Sequence, residues 1–227
     1  NYCMRGAGGF EGNGQTLRIL ARLENFSAGA GANLSRRTML GVLKYPVAFS
    51  RIANPALAPA LLAGPSTIKI IDGRASKPPK CYLDSEQDVV DWILQPLSHP
   101  DREAFQAFAA QEGKHGKPRH KALDCSIMDA ADDIAYGVHD LEDAIALDLV
   151  TRERFAAALQ DKCPSFLDAL KAKYPGESEN DVFAQMVDGL FGGAASRKRF
   201  IGRLVHHFLT AVEFVERPEF AEPFLRW

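Results

Sequence analysis

LDCSIMDAADDIAYGVHDLEDAIALDL, residues 123–149, decides the architecture of this chain. Ile127, Ala131, Ile134, Val138, Leu141 and Ile145 recur there at alternating four- and three-residue steps. At about 100° per residue those steps return to one face of an α-helix, so the spacing predicts a long helix buried along one apolar stripe. Rotated well away from that stripe stand Asp129, Asp132, Tyr136, Asp140 and Asp143. Carboxylates crowded on one face repel one another. A face built only for solvent would intersperse Lys and Arg, and none occurs between Asp124 and Val150. Two readings stay open on spacing alone: an acidic solvated face, or a face whose repulsion a cation or a hydroxyl-rich ligand offsets.

His139 and Asp140 form an HD dipeptide in this helix. Helical neighbours point about 100° apart and rarely meet one ion. Asp132 and His139 share a face, but seven residues at about 1.5 Å each hold them about 10 Å apart. His139 is therefore expected to be a packed or partly exposed histidine, not a metal ligand.

Outward from this segment, helical patterning continues. Leu17, Leu20, Ala21 and Leu23 predict a helix over 13–26, and Ser35 is placed to cap one running to about Lys44, stopped by Pro46. Further helices are expected over 84–93 (capped by Asp84 or Ser85), 102–111, 152–160, 165–173, 179–191 and 197–216. Pro, Ala and Gly dominate 46–79, which reads as part of a loop-rich insertion near 46–83 with a short strand at 67–71. GKHGKPRHK, residues 113–121, reads as an exposed, mobile basic loop. No repeats and no alternating strands stand out, so the fold class is all-α.

The bulk properties bound the function. The chain has 227 residues, 46% of them hydrophobic and 25% charged, and a formal net charge of -2. That balance gives no global attraction to nucleic acid or to an anionic membrane, so any polyanion site must be local. No apolar run approaches the ~18 residues that span a bilayer, and NYCMRGAGGFEGN does not have the pattern of a signal peptide. Cys3, Cys81, Cys125 and Cys163 are scattered with no CxxC pair, which argues against a structural zinc or a disulfide scaffold and fits a reducing, cytoplasmic setting.

GGFEGNGQTLRILARLE (8–24), NLSRRTMLGVLKYP (33–46) and SIMDAADDIAYGVHDLEDAI (126–145), in this order and spacing, resemble the dGTPase-like triphosphohydrolases of the HD-domain superfamily. KPPKCYLDSEQDVVDWIL (77–94) and RKRFIGRLVHHF (197–208) extend the similarity over nearly the whole chain. The resemblance implies the helical HD-domain fold and hydrolysis of a deoxynucleoside triphosphate, dGTP foremost, to a deoxynucleoside and inorganic triphosphate. It implies that Asp132 is the last ligand of a divalent metal site, suited to Mg, Mn or Fe. Tyr136 would pack on the deoxyribose, leaving little space for a 2′-hydroxyl, and Asp140 would accept a hydrogen bond from the 3′-OH. Lys44 and Tyr45 would approach the triphosphate, as would Lys80 or Lys77, between which the match is ambiguous. Asn13 and Gln15 would lie beside the catalytic pocket; their own positions read equally well as a helix N-cap and a surface amide. Arg197, Lys198, Arg199 and Arg203 could meet an effector nucleotide or single-stranded nucleic acid, or simply end a helix in solvent.

The family's other metal ligands and its catalytic His and Glu would lie upstream of Asn1. The chain is thus expected to be the middle-to-C-terminal part of a larger enzyme that does not associate with membranes. By resemblance that enzyme is homo-oligomeric, with a hexamer among the assemblies implied. The alternative from another class is a non-catalytic helical module for nucleotide binding or subunit assembly. A monophosphate hydrolase is a third reading, but it leaves the lysines of LKYP and its surroundings without a reason.

Overall fold

After a 3-10 helix at Tyr2–Ala7, Gly12 opens the first α-helix because Glu11, in extended backbone, turns its carboxylate onto the Gly14 N–H at 2.9 Å. The computed structural model describes residues 1–160, 162–173 and 182–227, which form two compact units, Asn1–Ile127 with Phe214–Trp227, and Met128–Glu213. Among the described residues, helices dominate and no helix is long and apolar enough to cross a membrane.

In the first unit, α1 (Gly12–Arg18) widens into one π-helical turn, Ile19–Leu23. Ser35 caps α2 (Arg36–Val42) through the Thr38 N–H, as its position predicts. A single turn, α3 (Phe49–Ile52), breaks the loop-rich stretch. α4 (Gln87–Leu94) follows a 3-10 turn at Asp84–Glu86, and α5 (His99–Phe105) starts at a Ser98 cap. The core gathers Leu17, Leu43, Tyr82, Val90, Phe105, Phe220 and Leu225, all essentially without solvent contact. The last two arrive with the C-terminal turn, α11 (Pro223–Arg226). Buried Asp101 fastens that segment by accepting the Ala221 and Glu222 N–H groups, each at 3.0 Å.

α6 covers Leu123–Ala146, and its greater part belongs to the second unit, with α7 (Arg152–Leu159), α8 (Pro164–Lys173), α9 (Val182–Phe191) and α10 (Ala194–Thr210). Met186, Val187 and Leu190 of α9 sit at the centre against Val138, Ile145, Phe155, Phe166 and Phe200. Gly189 has no Cβ to obstruct the Phe200 ring, which lies directly on the α9 backbone.

Several expectations need correction. The helix expected over 102–111 ends at Phe105; Phe108–Ala109 (β1) instead pairs antiparallel with Lys117–Pro118 (β2). Gly116 permits this, since a Cβ there would lie 2.8 Å from both Ile52 Cγ1 and Phe108 Cδ2. The basic loop is consequently held: His115 Nδ1 accepts the Asn54 N–H at 2.9 Å and its Nε2 lies 3.2 Å from the Lys77 carbonyl. No strand forms over 67–71, where only Ile71 bridges to Leu61. Neither Asp84 nor Ser85 caps α4: Glu86 holds the N-cap position, Asp84 accepts from the Ser50 hydroxyl at 2.6 Å and the Ser85 hydroxyl donates to Glu86 at 2.8 Å. The helix expected over 197–216 runs from Ala194 to Thr210, whose hydroxyl bonds the carbonyls of its own last turn. Residues 179–181 of the helix expected over 179–191 lie outside the described residues. Along the α6 stripe, Val138 and Ile145 are buried and Ile134 and Leu141 half-buried, but Ile127 and Ala131 are exposed because the second unit's core starts at Ile134.

Candidate functional site

The sequence blocks FEGN, LKYP and KCYL converge in the first unit. Tyr82 donates its N–H to the Val47 carbonyl at 3.0 Å and accepts the Phe49 N–H at 2.9 Å, so 47–49 runs parallel to 81–82. That pairing brings the Lys80 ammonium to 5.3 Å from the centre of the Tyr45 ring, within cation–π range. α1 closes the third side: a Cβ on Gly14 would meet Leu83 at 3.3 Å and the Cys81 carbonyl at 3.4 Å. Glu11 thereby reaches Lys80, Oε1 to Nζ 3.5 Å, and the same oxygen accepts from Asn13 Nδ2 at 3.0 Å. Asn13 is therefore not the N-cap of α1; Glu11 holds that position and Asn13 leans on it.

Lys80, Tyr45 and Asn13 thus stand together, and Lys77 is exposed elsewhere, its carbonyl beside His115. Gln15 is half-buried on α1. Lys44 is half-buried next to Tyr45, near enough to the Cys125 thiol to pull against the burial that raises its pKa. Cys81, beside Lys80, is held in its thiol form: burial, with Glu11 and Asp84 adding, pushes its pKa far above the ordinary range. Glu11 is the residue that motif reading misses. It lies inside the FEGN block, and its one signal is an acidic residue three positions ahead of a glycine at a helix start.

In the second unit, α6 carries the remaining residues that the sequence singles out. With Val138 and Ile145 buried, residues about 120–200° around the axis from Val138 turn away from that core; within the second unit these are Asp129, which is half-buried, and Asp132, Tyr136, Asp140 and Asp143, which are exposed. Tyr136 is 65% exposed. Asp132, Tyr136 and Asp140 follow one another at about 6 Å of rise per four residues. His139 turns to Glu142, Nδ1 to Oε2 3.1 Å, and not to Asp132. Among the described residues, no group of three or more His, Cys, Asp or Glu side chains is placed to hold a metal ion. Asp132 contributes a single carboxylate, so the residues at hand do not by themselves fit a catalytic metal.

The basic cluster of α10 divides. Arg197 Nε donates to the Leu190 carbonyl at 3.0 Å and Arg203 lies 4.8 Å over the Phe200 ring, both serving the unit's own packing. Lys198 and Arg199 are exposed.

Comparison with known proteins gives these positions a context. No family model matches the chain. A "deoxyguanosinetriphosphate triphosphohydrolase-like protein" of Aliivibrio fischeri (strain MJ11) is 42% identical over 236 residues, taking in 100% of this chain and 50% of the relative. The chain is a homologue of the deoxyguanosinetriphosphate triphosphohydrolase-like proteins. Proteins of the same description from Shewanella woodyi and Histophilus somni are 42% and 38% identical, again over 100% of the chain and 49% of their own length. The chain spans about half the length of the curated relatives it matches. Family resemblance and helical fold agree with what the three sequence blocks imply.

Proposed function

We infer that this chain supplies the substrate-side portion of a metal-dependent deoxynucleoside triphosphate triphosphohydrolase, with dGTP the leading substrate. The observation that carries the reading is the face of α6: an apolar stripe turned into a core and, opposite it, Asp132, Tyr136 and Asp140 open at successive turns with no basic residue among them. Solvation alone gives no reason for that arrangement, whereas a metal ion, a sugar ring and a sugar hydroxyl give one for each position. In this reading Asp132 donates one ligand to a divalent ion whose remaining ligands come from the other half of the longer polypeptide. Tyr136 lies flat on the deoxyribose and Asp140 accepts from its 3′-OH. Lys80, steadied over Tyr45, and Lys44 balance the charge of the triphosphate. Hydrolysis of that substrate breaks the bond between the α-phosphorus and the 5′-oxygen; water supplies the new P–O bond and the 5′-hydroxyl regains a proton.

The test is product analysis. A polypeptide carrying this chain together with the other half of the family's length is incubated with dGTP and Mn²⁺. Deoxyguanosine and tripolyphosphate in equal amounts are expected, and Asp132→Ala is expected to abolish both with the helical spectrum unchanged. Release of pyrophosphate and dGMP, or undiminished turnover by the Asp132 variant, contradicts the reading.

A further inference from the structure

We propose that Glu11 is a positioning residue that holds the Lys80 ammonium in place for an oligophosphate; the proposal rests on the reading of Lys80 as a triphosphate contact. Glu11 is 2% exposed and carries three donors: the Gly14 N–H at 2.9 Å, the Asn13 amide at 3.0 Å and the Lys80 ammonium at 3.5 Å. Lys80 is by contrast 47% exposed and, without a tether, would sample many rotamers. The carboxylate below and the Tyr45 ring beside it confine the ammonium to one place. A lysine ordered before its ligand arrives loses less entropy on binding than a free one. The neutral Asn13 and the backbone cap leave Glu11 with charge to spare for Lys80, so the cap and the tether can be separated by chemistry.

Glutamine makes that separation. In Glu11→Gln the amide oxygen still accepts from Gly14, which preserves the start of α1, but the amide nitrogen is a donor and cannot receive Lys80. Asn13 can flip its amide to suit; an ammonium cannot. The experiment is a double-mutant cycle on the 227-residue chain with Glu11→Gln, Lys80→Met and both together. Calorimetry with inorganic tripolyphosphate reads affinity, and thermal melting confirms folding. Loss of a carboxylate charge near an anion acts in both backgrounds and cancels in the cycle.

Lys80→Met is expected to weaken tripolyphosphate binding. Glu11→Gln is expected to weaken it about threefold to tenfold more in the native background than in the Lys80→Met background, the cost of ordering one long side chain. An equal effect of Glu11→Gln in both backgrounds, with Lys80→Met still harmful, overturns the positioning role and leaves the reading of Lys80 standing. No effect of Lys80→Met overturns both. A measurement without any change at Glu11 adds a separate arm: in a lysine-methylated sample, the ¹³C signal lost in Lys80→Met should report restricted motion. A Lys80 signal as mobile as that of exposed Lys77 overturns the proposal.

Discussion

Tyr136 is 65% exposed on α6, with Asp132 a turn before it and Asp140 a turn after. Solvent exposure of an aromatic ring between two carboxylates is what a sugar-stacking role requires. Tyr136→Ala should relax discrimination against ribonucleotides, and Asp140→Ala should raise KM for the deoxynucleotide. Leaving a 3′-OH without its charged acceptor removes about 1–3 kcal/mol, or roughly tenfold and more. The check is kcat/KM for GTP against dGTP in each variant of the longer polypeptide; an unchanged ratio in Tyr136→Ala removes the ring from sugar selection. The outward placement of these residues is legible in the sequence because their helical phase is fixed by the stripe that Val138 and Ile145 bury. Glu11 is not legible as a partner of Lys80. Their contact spans 69 positions and depends on a parallel bridge between 48 and 82 that leaves no periodic trace.

At the scale of elements, long amphipathic helices and capped starts are readable, as α6 and Ser35 illustrate. The hairpin of β1 and β2 is not: its strands are too short to alternate, and what closes it is Gly116 making room for Phe108 and Ile52. The C-terminal segment is equally hidden, since it docks through Asp101, more than a hundred residues away. Asp101→Ala should cost about 2–3 kcal/mol, because it strips the acceptor from two backbone N–H groups at once. Hydrogen exchange at Ala221 and Glu222 should accelerate before the rest of the first unit opens; uniform acceleration contradicts a local clamp.

The same docking carries a pH dependence. His120 meets Phe220 edge-on with ring centroids 4.9 Å apart. Burial, with Arg217 adding, holds the His120 pKa below its ordinary value. The folded chain then resists a proton that the unfolded chain accepts. Stability is accordingly complete above about pH 6.5 and falls as the pH drops through that value, levelling once the folded histidine also titrates. Melting temperatures between about pH 8 and about pH 5 should therefore decline less in His120→Gln than in the native chain. Identical declines would show that His120 is not the group responsible.

At the scale of the whole molecule, the predicted contacts fall into two sets. Lys80, Tyr45 and Asn13 belong to the unit of Asn1–Ile127 with Phe214–Trp227, and Asp132, Tyr136 and Asp140 to that of Met128–Glu213. Neither set includes a complete metal site among the described residues, and the matched relatives are about twice as long as the chain. In the function proposed above, this chain contributes substrate contacts and hydrolysis needs the remainder of the relatives' length. The most direct measurement is tripolyphosphate release from dGTP with Mn²⁺, by the 227-residue chain alone and after the other half is joined to it in one polypeptide. The account predicts no release above background from the chain alone and sustained release from the joined polypeptide. Robust release from the isolated chain, or none from the joined one, contradicts it.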